Sequence, residues 1–243
     1  MVSMRPNLHT DFIIAPISDL LKDAVTASSG IGNGIETFPL CDYVMQSVLL
    51  KLTGFQEQKM KCICWEMASI DFEYRYEFTK MPLGECSSYS EKQKIYKDLV
   101  KQIEKFGLKF SEIDIHKNEI LKTTISEIND IFQPTNLSIW AQRNFLNYNS
   151  IFKDIKKTHF ASDKNSLFSD LVLKAIYEKR LYKQRNRIAH NTSSYQQNLP
   201  TLRTLIDEDY KYDNYFIYFS LLMLIDKIFI GLYSKYLELA DKN

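Results

Sequence analysis

Two observations on this chain predict an all-α fold. Only 7 Gly and 6 Pro punctuate 243 residues, too few for a turn-rich β architecture. The long stretches between them carry apolar side chains at three- and four-residue spacing, and no strand alternation of useful length competes. With 45% hydrophobic and 25% charged residues, an ordinary globular protein is expected. The length fits one large domain, or one domain with an added subdomain.

Residues 1–35 read as an N-terminal segment. A short helix from Ile17 to Ala27 is followed by a flexible joint at Ser28-Ser29-Gly30 and Gly32-Asn33-Gly34. From Phe38, the residues Leu40, Val44, Val48, Leu49 and Leu52 set a helical stripe, with a break expected at Gly54. A second long helix is expected from about Glu57 to Thr79, carrying Met60, Ile63, Cys64, Met67, Ile70, Phe72 and Tyr76. Pro82-Leu83-Gly84 ends it, and Ser87 to Ser90 offer N-caps to a charged, solvated helix over 91–106. Ile120, Leu121, Ile125, Ile128 and Ile131 stripe a helix from Ile113 to Phe132, which Pro134 stops. One or two shorter helices are expected from Leu137 to Thr158, around Trp140, Phe145, Tyr148, Ile151 and Phe152. Trp65 and Trp140 are expected in the core.

Leu167, Phe168, Leu171, Val172, Ala175 and Ile176 form adjacent apolar pairs every fourth residue, the pattern of a buried helix stripe. A final helix is expected from about Asp213 to Leu239. It is apolar nearly all round, yet Asp226 and Lys227 interrupt it centrally, which disfavours a membrane span. Burial in a bundle or sharing with a partner subunit accounts for it better.

The net charge of +1 means that any nucleic-acid contact must come from a local patch. No secretory signal is read before Cys41, Cys62, Cys64 and Cys86, so reduced thiols and a cytoplasmic location are expected. Cys62 and Cys64 fall roughly 200° apart on a helix, and the four histidines do not cluster with them, so no metal site is expected.

Between the last two helices lies Arg185-Asn186-Arg187-Ile188-Ala189-His190-Asn191. Lys179, Arg180, Lys183, Arg185 and Arg187 crowd together there in a chain that is nearly neutral as a whole. An arginine can hold a phosphate through parallel hydrogen bonds, and a histidine can move protons near neutral pH. The pairing suits handling of a phosphodiester. Arg185 and His190 fall roughly 140° apart on a regular helix, so they cannot line one face of it. Three arrangements answer this: an unwound helix near Ala189, an arginine that reaches around, or a site built from two copies of the motif.

Arg185-Asn186-Arg187-Ile188-Ala189-His190 resembles the Arg-x(4–6)-His signature of HEPN domains (higher eukaryotes and prokaryotes nucleotide-binding), in its Arg-Asn-x-x-x-His form. The setting is similar too: an all-helical chain, the motif after a long helix, then an apolar helix. The resemblance implies a HEPN-like helical bundle over 36–243, with its core in 36–80 and 165–240 and a helical insertion at 82–160. It further implies a metal-independent endoribonuclease that needs no cofactor, often a toxin or anti-phage defence effector. Such a protein is usually a homodimer with facing motifs, and some members have an antitoxin or regulatory partner. The RNA 2′-hydroxyl would attack the adjacent phosphate and leave a 2′,3′-cyclic phosphate. His190 would then be the general acid or base, Arg185 would stabilise the phosphorane, and Asn186 would orient the site.

Lys179, Arg180, Lys183, Arg187 and Asn191 are the RNA-binding candidates. Many antitoxin-paired members carry a tyrosine two residues after the histidine, where this chain has Thr192. Plainer readings attach to the same residues. His190 suits a helix end, satisfied by carbonyls and the helix dipole, Arg185 suits a structural ion pair, and Glu178 suits a helix salt bridge. A non-catalytic HEPN-like module for dimerisation or for nucleotide or RNA binding is the alternative to a nuclease.

Overall fold

The computed structural model describes residues 8–190 and 208–242, and these are mostly helical. Helices α1 (Leu8–Ile14) and α2 (Ile17–Ala27) lead into α3, a 33-residue helix from Phe38 to Ile70. The break expected at Gly54 does not occur. A helical glycine costs only about 1 kcal/mol relative to alanine, and the buried Leu52, Thr53, Gln56, Lys59 and Met60 around it hold the helix against the core.

The break comes instead at Asp71, inside the expected second helix. Its carboxylate accepts from the backbone N–H groups of Glu73 and Tyr74 at 2.8 and 3.1 Å, and so caps α4 (Phe72–Lys80). Trp65, expected in the core, is 63% exposed, whereas Trp140 packs partly buried against the core.

Ser88 and Glu91 form a reciprocal capping box at the start of α5 (Tyr89–Lys105). This helix is not the solvated one its charge predicts. Ile95, Tyr96, Leu99, Val100 and Ile103 are fully buried at its centre, and the lysines and acids other than the buried Lys92 occupy the other sides. Helix α6 (Lys117–Phe132) buries Ile120, Thr124, Ile128 and Phe132, and α7 (Asn136–Trp140) and α8 (Gln142–Lys153) follow.

A small antiparallel hairpin comes next, β1 (Phe160–Asp163) with β2 (Ser166–Phe168). Leu167 and Phe168 therefore belong to a strand and not to the helical stripe read from their spacing. Leu171 and Val172 are 80% and 48% exposed. The adjacent-pair pattern had joined a strand to the exposed first turn of a helix.

The centre of the molecule is α11 (Tyr215–Ala240), which Asn214 caps through its side-chain oxygen. It packs against α3, α5, α6 and α8. By length and composition it could cross a membrane, but 78% of its most apolar window is buried within the chain. Both central charges have partners. Asp226 meets Lys59 of α3 at 2.7 Å with both side chains 1% exposed, and Lys227 meets Glu127 of α6 at 2.9 Å. Asp226 also accepts from the Ile17 backbone N–H at 2.9 Å, and Lys59 donates to the Ala15 carbonyl. The N-terminal helices are thus tied into the same core as α3 and α11, with Ile13, Ile17, Leu21 and Val25 buried in it. Segment 82–160 contributes α5 and α6 to that core as well. Because the chain itself covers α11, its apolar surface does not require a second subunit.

Candidate functional site

The motif-bearing helix starts at Asp170, whose carboxylate accepts from the Val172 and Leu173 backbone N–H groups at 2.8 and 2.9 Å. Three pieces run on without a gap: α9 (Leu171–Ile176), a π-helical turn (Tyr177–Leu181) and α10 (Tyr182–His190). In the π turn the Tyr182 N–H donates to the Tyr177 carbonyl, five residues back. Such turns often mark functional sites.

Helix α10 stays regular through His190, so the motif's residues point in different directions. Lys183, Arg187 and His190 are exposed and, by their spacing of four and three, share one outer side. Lys179 is also exposed, as is Glu178, and no ion pair joins either to another described side chain.

Arg185 faces the other way. Its Nη2 donates to both oxygens of Glu57 on α3, at 3.0 and 3.2 Å, and its Nη1 donates to the Asn186 side-chain oxygen at 3.0 Å. Its side chain is 22% exposed, and its buried Nε has no hydrogen-bond partner. The ion pair open as an alternative for Arg185 is therefore present, with Asn186 attached to it. Arg180, read as a phosphate contact, lies against Asp213 at 3.0 Å. Asn191 and Thr192 lie outside the described residues.

Three groups around Arg185 were not singled out by the sequence reading: Glu57, Lys92 and Tyr177. Lys92 of α5 is buried, and its Nζ donates to the Cys86 carbonyl at 2.6 Å and the Ser87 carbonyl at 3.4 Å. Burial pulls its ammonium down to about 8, opposed by attraction to Glu57 and reinforced by repulsion from Arg185. Tyr177, from the π turn, donates to the Ser87 carbonyl at 3.1 Å and turns its ring toward Lys92 Nζ, 5.7 Å away. Cys86 adopts a left-handed backbone with φ of 60° in the loop above them. Burial pushes its thiol up to about 11 and that of Cys64 up to about 12, so neither is a ready nucleophile. No sequence signal joins Glu57 to the motif, since its neighbours Gln56 and Lys59 bond instead to Leu222 and Asp226 of α11.

The arrangement has two parts. An outer row of lysine, arginine and histidine can meet an anionic polymer, and behind it a carboxylate and asparagine fix the arginine fork. Among the described residues no group of three or more His, Cys, Asp or Glu side chains could hold a metal ion. Comparison with protein-family models, with curated proteins and with solved structures finds no match.

Proposed function

We propose that the chain is a metal-independent endoribonuclease of HEPN type, acting through the Arg185–His190 motif. The observation that carries this reading is the outward row of Lys183, Arg187 and His190 ending α10, with Arg185 held behind it by Glu57 and Asn186. Lysine and arginine would track phosphates and bring the chain past His190. His190 would take the proton from the ribose 2′-hydroxyl or return one to the leaving 5′-oxygen. Arg185 would offer its fork to charge gathering on the phosphorane.

Because α10 remains helical to its end, one copy does not place Arg185 and His190 on the same side. The reading therefore includes a homodimer, in which the histidine of one copy completes the arginine site of the other. A cytoplasmic toxin or anti-phage role, restrained by an antitoxin or regulatory partner, is the biological setting that this chemistry fits.

One observation favours a second reading. Glu57 already neutralises Arg185, as expected of a structural arginine in a non-catalytic RNA-binding or dimerisation module. Incubation of purified protein with total RNA and a tRNA pool in excess EDTA separates the two. Cleavage to 2′,3′-cyclic phosphate ends, lost in His190→Ala and in Arg185→Ala, is the expected result. Absence of cleavage by folded, dimeric wild type would refute the nuclease and leave the binding module.

A further inference from the structure

Helix α4 projects at the opposite end of α3 from its Phe38 start, and its acids are drawn to one side. Glu73 pairs with Lys105 at 2.8 Å, and Glu77 with Lys101 at 3.8 Å, both lysines on α5. Tyr74 is buried and Phe78 packs against the core. The outward side is left with Phe72, Arg75, Tyr76 and Lys80. Phe72 is 75% exposed and Tyr76 is 62% exposed. At i and i+4 they stand side by side, with about 5–6 Å between their Cβ atoms. The Arg75 guanidinium lies 5.5 Å from the Phe72 ring centre, and Lys80 Nζ lies 4.1 Å from that of Tyr76. Neither cation has a carboxylate partner among the described residues.

We propose that this side of α4 is a stacking platform for single-stranded RNA. Adjacent bases would lie on Phe72 and Tyr76, and Arg75 and Lys80 would hold the flanking phosphates. Aromatic rings interleaved with uncompensated cations match a polymer that alternates π faces with negative charge. A lipid surface fits less well. Each ring is flanked by a cation, and the Glu73 and Glu77 side chains are 71% and 59% exposed at the edge, where a bilayer would have to desolvate them. Glu57 lies about 20 Å along α3 from its Ile70 end, where α4 begins, at 1.5 Å per residue, so the platform is a separate contact from the 185–190 motif. The proposal takes its choice of polymer from the nuclease reading, but its chemistry does not require cleavage.

The test uses a 2′-O-methyl oligouridylate of about 12 nucleotides, which has no 2′-hydroxyl to attack and so cannot be cut by the proposed reaction. Fluorescence anisotropy would be recorded for wild type and for the Phe72→Ala/Tyr76→Ala double variant, whose fold is checked by circular dichroism. Loss of two stacked bases raises the Kd by about 30-fold or more. The Arg75→Gln/Lys80→Gln variant flattens the dependence of log Kd on log salt by about 1.4. Unchanged RNA affinity in the folded aromatic variant overturns the proposal. So does loss of binding to phosphatidylserine vesicles with RNA affinity intact, which reassigns the surface to lipid. RNA cleavage by a protein whose binding ignores α4 would remove the platform and keep the nuclease. Platform-dependent binding without cleavage would do the reverse.

Discussion

Replacing Asp226 by Asn should be among the most damaging conservative changes in this chain. The carboxylate sits 2.7 Å from Lys59 Nζ, and both side chains are 1% exposed. Asparagine keeps the shape and can still accept from the Ile17 N–H, but its NH2 then faces Lys59, so the change removes both the charge and the acceptor that Lys59 uses. Lys59 would then be left with the Ala15 carbonyl and the Phe55 ring face at 5.3 Å. To escape by losing its proton at pH 7, a lysine must move about 3.4 units below its ordinary value, a ceiling of about 4.6 kcal/mol. Breaking buried pairs by removing one partner usually costs about 3–5 kcal/mol, which agrees with that ceiling. For a chain of this size such a loss lowers Tm by roughly 10 °C. Lys59→Met alone, which strands the carboxylate, should cost a similar amount. The Lys59→Met/Asp226→Asn double variant should cost much less than the sum of the two, with a coupling energy of about 2 kcal/mol or more. Urea unfolding of the four proteins at pH 7 measures the cycle. Strict additivity, or a single-variant loss below about 1 kcal/mol, would refute the claim that this pair is buried and mutually dependent.

Further expectations concern the other charged groups. Asp71 is partly desolvated, yet Lys105 and the Tyr74 N–H outweigh that and hold its carboxyl down to about 2. A folded value below the unfolded one adds stability above about pH 4 that is lost as pH falls toward 2. Asp71→Asn, which keeps the cap, should therefore cost about 1 kcal/mol at pH 7 after solvent screening, and the urea curves of variant and wild type should converge as pH falls from about 4 through 2. Lys92 runs the other way. Its folded value, lowered to about 8 from 10.5, means that the native state binds fewer protons than the unfolded chain between those values. Wild type should gain up to about 3 kcal/mol relative to Lys92→Met as pH rises from 8 to 10.5, read from thermal melts across that range. At the motif, Arg185→Lys should lose nearly as much RNA cleavage as Arg185→Ala, within about 10-fold in kcat/KM, because an ammonium cannot span both Glu57 oxygens and Asn186. Cleavage by Arg185→Lys at close to the wild-type rate would show that the fork is dispensable.

The helical class was legible because scarce glycine and proline leave few other options for so long a chain. The capping box at Ser88 and Glu91 was legible in part, since caps are local chemistry. Helix boundaries were less so. Gly54 reads as a break, but its cost is small beside the burial of its neighbours, whereas Asp71 looks like one more charge until its side chain is seen to cap α4. The role of α5 was hidden because eight lysines and acids outweigh its apolar residues in number while all but Lys92 lie away from the buried side of the helix. At the motif, sequence marks the basic cluster and the angle between Arg185 and His190. It does not reveal that Glu57, 128 residues away along the chain, is what Arg185 meets. Long-range pairing of that kind depends on how α3 and α10 pack, and periodicity carries no record of it.

The π turn has a consequence for how this chain tolerates insertions and deletions. A π turn accommodates one residue more than an α-helix of the same axial length, so α10 is out of phase with α9 by about 100°. Excising a single residue from Tyr177–Leu181 would let the turn relax to α geometry without disturbing either flanking helix as a helix. Everything beyond would keep its place, with Arg185 still against Glu57, whereas closing the turn to α geometry with all its residues retained would rotate α10 by about 100° and carry Arg185 away from Glu57. The turn behaves like a keyway cut in a shaft: it transmits no load, but it fixes the angle at which the end of the shaft engages.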